Sequence, residues 1–181
     1  MIYYHSKELS KQLGVGLSKW KRWAREFLAP DPLGGLQSGF ARQFNLKDAF
    51  RVYLGGCLVA ELKFTIPETR QVLADLNGWL KKQGFFQLRT SLEPGSFTQD
   101  RFYRIYIISI PPNQFAYTIR AVKVPATIDS PFSEDRLESY RLVSATDPPD
   151  PIAFGKVETA RILGISAIYQ RFLEGLQAGE R

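Results

Sequence analysis

The fold of the N-terminal region is decided by residues 6–27, SKELSKQLGVGLSKWKRWAREF. Leu9 and Leu13 lie at i and i+4, which predicts a short helix with one apolar face. The Gly-Val-Gly run at 14–16 then ends that helix, because glycine adopts the left-handed conformation that helix C-termini favour. A second helix is predicted from Leu17 or Ser18 to Phe27. Two helices joined by a short glycine-containing turn are typical of a helix-turn-helix.

The second helix is amphipathic and basic. Trp20, Trp23 and Phe27 follow an i, i+3, i+7 spacing, so their side chains form one stripe suited to packing. The spacing directs the charged residues away from that stripe, and four cations precede the first acid, Glu26: Lys19, Lys21, Arg22 and Arg25. A basic free face on the second helix is the pattern expected of a helix that enters the DNA major groove.

Two further helices are predicted before residue 84. Residues 29–39 are rich in Pro and Gly and predict a β-hairpin, the wing. Asn45 is a suitable N-cap for a third helix that extends to Leu62, and Gly55-Gly56 predicts a kink or break in its middle. A fourth helix is predicted from Thr65, with Pro67 in its first turn, to Gly84.

The chain changes character after Gly84 and becomes rich in β-forming residues. Two apolar runs separated by a Pro-Pro-Asn-Gln turn predict an antiparallel hairpin, with weaker strands on either side and a closing helix after a proline-rich linker. The segments are Phe85–Ser91, Phe102–Ile110, Phe115–Val124, Leu137–Ser144 and the helix Phe154–Leu176. We therefore expect an α+β protein: an all-α winged helix-turn-helix of four helices plus the wing over residues 1–84, and over 85–181 a small antiparallel-sheet domain with a terminal helix.

Composition limits the class of protein. The 181 residues are 44% hydrophobic and 23% charged, with a net charge of +6, which is typical of a globular protein with acidic partners. Residues 1–50 contain eight Lys or Arg and four Asp or Glu, so nucleic acid is favoured over an anionic membrane. With no apolar run long enough to span a bilayer, no signal-peptide pattern and a single cysteine, Cys57, we expect a cytoplasmic protein without disulfides.

Several of these segments resemble the DNA-binding domain of the MerR family of transcription regulators. Residues 6–15 are similar to the first helix and turn of that family, and Trp20-Lys21-Arg22-Trp23 to its basic, aromatic recognition helix. Residues 37–44, QSGFARQF, resemble its wing, and residues 62–73 the start of its fourth helix. The resemblance covers about residues 2–80. Ala41 is an extra residue in the wing motif, and a β-rich region follows where the family has a dimerising coiled coil.

The resemblance implies a winged, sequence-specific regulator of transcription that binds double-stranded DNA. Its second helix would enter the major groove and its wing would contact the flanking backbone. The residues implied in DNA contact are Ser18, Lys19, Lys21, Arg22, Arg25, Ser38 and Arg42. Such regulators normally dimerise on a two-fold operator, and we expect a homodimer. The terminal helix supplies the candidate dimer surface: Val157, Ile162, Ile165, Ile168, Phe172 and Leu176.

The residues leave alternatives open. One is an architectural or excisionase-like phage or plasmid protein that bends DNA, and another is an interaction module for an acidic partner. Residues 158–166 also resemble the first helix and turn of Fis-type DNA-binding tails, so the terminal helix is either a dimer helix or a second DNA-binding element. No catalytic pairing, metal-ligand pattern or cofactor motif is present, so we expect no enzyme, metal or cofactor; an effector ligand stays unknown.

Overall fold

Five helices and six strands make up the part of the chain that the computed structural model describes, which is residues 3–30, 42–86, 101–110, 114–123, 138–141 and 157–179. The architecture is mixed helix and sheet, with two small antiparallel sheets, so α+β is confirmed as the fold class. Contacts divide the chain into two compact units. Unit 1 is Met1–Glu93 with Tyr169–Arg181, and unit 2 is Pro94–Ile168.

Unit 1 begins with the predicted pair of helices. Strand β1 (Tyr4–His5) leads into α1 (Ser6–Gln12), and α2 (Leu17–Phe27) follows after a turn in which Gly14 has a φ of 63°. The positive φ explains why glycine ends the first helix, since other residues are strained there. Strand β2 (Gln43–Phe44) pairs antiparallel with β1. The predicted wing falls almost entirely in residues 31–41, which lie outside the described residues.

Helices α3 (Leu46–Ala60) and α4 (Ile66–Lys82) complete the N-terminal part of unit 1, and both begin where the sequence predicts. The Asn45 side chain accepts a hydrogen bond from the Asp48 amide at 2.8 Å. Thr65 and Glu68 form a capping box, in which the Thr65 amide donates to the Glu68 carboxylate at 2.7 Å. Each cap satisfies backbone amides that have no partner within the helix.

The structure rules out a break at Gly55-Gly56, because α3 is one continuous helix. Both glycines are buried, and a Cβ atom added to either would overlap an aromatic ring of α2: Phe27 at Gly55 and Trp23 at Gly56. The glycines therefore serve close helix packing, and the contacts override their low intrinsic helix propensity.

Unit 2 contains a four-stranded antiparallel sheet in the order β5-β4-β3-β6. Its strands are β3 (Arg101–Ile110), β4 (Gln114–Lys123), β5 (Glu138–Arg141) and β6 (Arg161–Leu163). The predicted hairpin is confirmed as the β3–β4 pair, with Ile105 opposite Ile119. Alternate residues on one face of the sheet are buried, including Ile105, Ile119 and Leu163.

The last helix, α5 (Ile165–Ala178), is shorter than predicted. Residues 157–160 have no regular structure and 161–163 form β6, so the predicted helix over 154–164 and the Fis-like first helix are wrong where the structure describes them. The contacts also divide the chain differently from the predicted boundary at residue 84, because α5 belongs to unit 1 from Tyr169 onward. Among the helices of the described ranges, none combines the length and the apolar character needed to cross a membrane.

The C-terminal part of α5 packs within unit 1 by its apolar stripe. Phe172 is fully buried, and its ring lies 5.2 Å from that of Phe50 and 5.5 Å from that of Tyr53 between centroids. Tyr169 meets Phe50 edge-on at 4.7 Å. Ile165, Ile168 and Leu176 are buried as well. Helix α5 therefore does not present the predicted dimer surface: Ile165 and Ile168, in unit 2, and Phe172 and Leu176, in unit 1, are buried within the chain, whereas Ile162 is exposed on β6 and Val157 is half-buried before that strand.

Candidate nucleic-acid interface

Helix α2 is anchored by one apolar face. Trp20 is fully buried, and Trp23, Ala24 and Phe27 are nearly so. The Trp20 ring meets that of Phe44 edge-on at 5.8 Å, which joins α2 to strand β2. On the other side, Trp23 and Phe27 pack against the two glycines of α3. The helix therefore cannot rotate about its axis without opening the core.

Two arginines hold the C-terminal end of α2. Arg70 of α4 donates from Nε to the Glu26 carbonyl at 2.9 Å and from Nη2 to the Glu26 carboxylate at 2.5 Å. Arg51 of α3 donates from Nε to the Phe27 carbonyl at 3.0 Å. The last carbonyls of a helix have no partner within it and carry partial negative charge, so cationic donors stabilise this end. The burial of Arg51 lowers its guanidinium pKa, and nearby Asp48 opposes that effect.

The five residues of α2 that the sequence predicts to contact DNA are all exposed: Ser18, Lys19, Lys21, Arg22 and Arg25. Glu26 is the one acid in the helix, and it is bonded to Arg70. At 100° per residue, Ser18, Arg22 and Arg25 lie within about 60° of one another on the side away from the tryptophans. Lys19 lies at the margin, with its ammonium 5.0 Å from the centre of the Trp23 ring.

Arg42 has an intramolecular role that the sequence did not predict. Its Nη2 donates to the Ala29 carbonyl at 3.0 Å, and its guanidinium lies 5.7 Å from the centre of the Phe44 ring. Arg42 therefore joins the chain just after α2 to the start of β2. The other predicted wing residue, Ser38, lies outside the described residues.

A groove of about 490 Å³ lies beside the exposed face of α2. We call it the basic groove and define it by its lining residues: His5, Ser6, Lys7, Leu17, Lys21, Ala24, Arg25, Arg42 and Phe44. Four of these carry a positive charge, and among the lining residues in the described part of the chain none is acidic. Sequence reasoning missed His5, Ser6 and Lys7, which β1–β2 pairing brings next to residues some forty positions away.

Cys57, the single cysteine of the chain, lies in an environment that disfavours its reactive thiolate form. The thiol is buried in α3, and burial, followed by the charge of Glu61, raises its pKa to about 12. Arg171 of α5 lies 3.4 Å from its sulfur and 2.7 Å from the Glu61 carboxylate. A thiol held protonated in this way is a poor nucleophile and metal ligand. Over the described ranges, no group of three or more His, Cys, Asp or Glu side chains could hold a metal ion.

No protein-family model matches this sequence, and no curated protein matches it.

Proposed function

We propose that the chain is a sequence-specific regulator of transcription that binds double-stranded DNA through α2. One observation carries the proposal: α2 is fixed by a buried aromatic face and by two arginines at its end, while its free face displays basic side chains without an unpaired acid. A helix held in place with a basic, exposed face suits the major groove, which admits one α-helix. The MerR-like segments of the sequence support the same function.

The side chains divide into two roles in this mechanism. Arg22 and Arg25 are the candidates for base contacts, since a guanidinium pairs with the O6 and N7 atoms of guanine and discriminates by about 1–3 kcal/mol per pair. Lys21 lies on the same side of the helix. Ser18 and Lys19, at the N-terminal end, are suited to backbone phosphates, which position a helix without selecting sequence.

Arg42 and Ser38 lie outside α2, and the proposal gives them other roles than base contact. The bond from Arg42 to the Ala29 carbonyl supports a positioning role, in which Arg42 fixes the segment that leads from α2 toward the wing. A DNA contact from its remaining donors is compatible with its partial exposure. Ser38 stays a predicted backbone contact of the wing.

We retain the homodimer as part of the proposal, because one such domain contacts few base pairs and two-fold operators require two copies. Its surface is not the apolar stripe of α5, which is buried. Sedimentation equilibrium tests the oligomeric state directly. A chain that is monomeric both free and on its selected DNA site contradicts this part of the proposal.

Selection of bound fragments from a genomic library tests the function. The proposal predicts one enriched inverted repeat with half-sites one helical turn apart or a multiple of that. Clustered direct repeats with strong bending indicate an architectural protein instead. The absence of any duplex enrichment, together with binding that is insensitive to salt on random duplex, contradicts DNA binding and favours an acidic protein partner.

A further inference from the structure

The basic groove differs in chemistry from the rest of the α2 surface. Leu17, Ala24 and Phe44 give it an apolar lining, whereas Lys7, Lys21, Arg25 and Arg42 surround that lining with positive charge. Contacts with the DNA backbone require basic or polar side chains but not an apolar groove. DNA binding alone therefore does not account for the apolar lining. The combination fits a ligand with an apolar body and an anionic group.

The size of the groove supports a small molecule. About 490 Å³ falls within the range of roughly 300–1,000 Å³ that is usual for pockets holding small organic ligands. Such pockets are mostly apolar, with a few polar groups that fix the orientation of the ligand. Here those groups are cations from α1, α2 and the residue just before β2, so they converge on the groove from separate parts of the fold.

We propose that the basic groove binds an amphiphilic organic anion, such as an aromatic carboxylate or sulfonate, and that this ligand displaces DNA. The ring occupies the space against the partly exposed Leu17, and the anionic group accepts charge-assisted hydrogen bonds from Lys21 and Arg25. Displacement of DNA rests on the proposed function, since the same two side chains lie on the predicted DNA-binding face. A bound anion would neutralise them.

The direct test uses 8-anilinonaphthalene-1-sulfonate, an aromatic anion whose fluorescence rises in an apolar site, titrated into the full chain without DNA. Saturable binding at one dye per chain is expected. Lys21→Ala/Arg25→Ala should weaken it at least about tenfold, because each charge-assisted hydrogen bond exceeds the free energy of a tenfold change in Kd. Lys19→Ala/Arg22→Ala is the matched control: it also removes two exposed cations of α2, but neither residue lines the groove, and the dye affinity should not change.

Two further measurements separate the possible outcomes. N-phenyl-1-naphthylamine, the uncharged analogue, should bind at least about tenfold more weakly than the sulfonate, for the same reason. In a competition assay, the sulfonate should release a fluorescent duplex from the wild-type chain at concentrations that saturate the groove. Circular dichroism checks that each variant is folded.

An unchanged Kd for the sulfonate in Lys21→Ala/Arg25→Ala, or equal Kd values for the charged and neutral dyes, would contradict the proposed anion site. Dye bound in the groove with the duplex still fully bound overturns its regulatory role. If the dye binds as expected but no duplex binds at any salt concentration, the proposed function fails while the anion site stands.

Discussion

Gly56→Ala is expected to destabilise unit 1, although alanine is the better helix former. In an exposed helix interior the substitution would stabilise the fold by about 0.8–1 kcal/mol. At residue 56, however, the new methyl group would overlap several ring atoms of Trp23, which is nearly fully buried. Overpacking of a core costs about 1–3 kcal/mol, and an overlap with an entire ring edge belongs at the upper end. We therefore expect a net loss of about 2 kcal/mol.

Urea denaturation followed by tryptophan fluorescence measures this loss. All three tryptophans, Trp20, Trp23 and Trp79, belong to unit 1, so the signal reports that unit alone. Gly78→Ala in α4 is the matched control, because nothing lies within 4 Å of the added methyl group; it should stabilise by up to about 1 kcal/mol. Equal or greater stability of Gly56→Ala relative to the wild type would refute the packing argument.

Three other predictions follow from contacts of unit 1. Cys57 should react with a disulfide reagent at pH 8 at least about a hundredfold more slowly in the folded than in the unfolded chain, because only the thiolate is the nucleophile and burial raises its pKa to about 12; comparable rates would contradict this environment. Thr65→Ala should lower the free energy of unfolding, measured by urea denaturation, by about 1 kcal/mol, because α4 loses its N-cap. An unchanged denaturation midpoint would show that the cap contributes nothing. Phe172→Ala should lower the free energy of unfolding by about 3–5 kcal/mol at every protein concentration, because the Phe172 ring is buried within the chain. A decrease that depends on protein concentration would instead indicate a dimer contact.

Local sequence signals were sufficient to predict much of the fold. The start of α3 at Asn45 and of α4 at Thr65 depends on side chains within three residues, and the end of α1 depends on one glycine. The β3–β4 hairpin likewise joins neighbours in sequence. Such features follow from short-range hydrogen bonds and turn preferences, which a single sequence displays directly.

The features that sequence reasoning missed depend on distant partners. The apolar stripe of α5 predicted a dimer surface, but periodicity does not identify what covers a stripe, and the Phe50 and Tyr53 rings that meet Phe172 lie more than a hundred residues away in sequence. Gly55-Gly56 signals a weak helix by propensity, whereas packing against α2 makes it continuous. The sequence carries no local signal for the roles of Arg51 and Arg70, which both donate to carbonyls at the end of α2. For the site, the exposed face of α2 was predictable and the basic groove was not.

The central claim is that the free face of α2 binds duplex DNA through Arg22 and Arg25. The most direct test compares Arg22→Ala/Arg25→Ala with Lys81→Ala/Lys82→Ala, which removes the same charge from exposed residues in the last turn of α4. With two base contacts worth about 1–3 kcal/mol each, the first pair should weaken binding to a selected duplex roughly 30-fold to 10⁴-fold, measured by fluorescence anisotropy. The second pair should leave affinity within a few-fold of the wild type. Equal losses in the two variants, or no loss in the first, would contradict the claim.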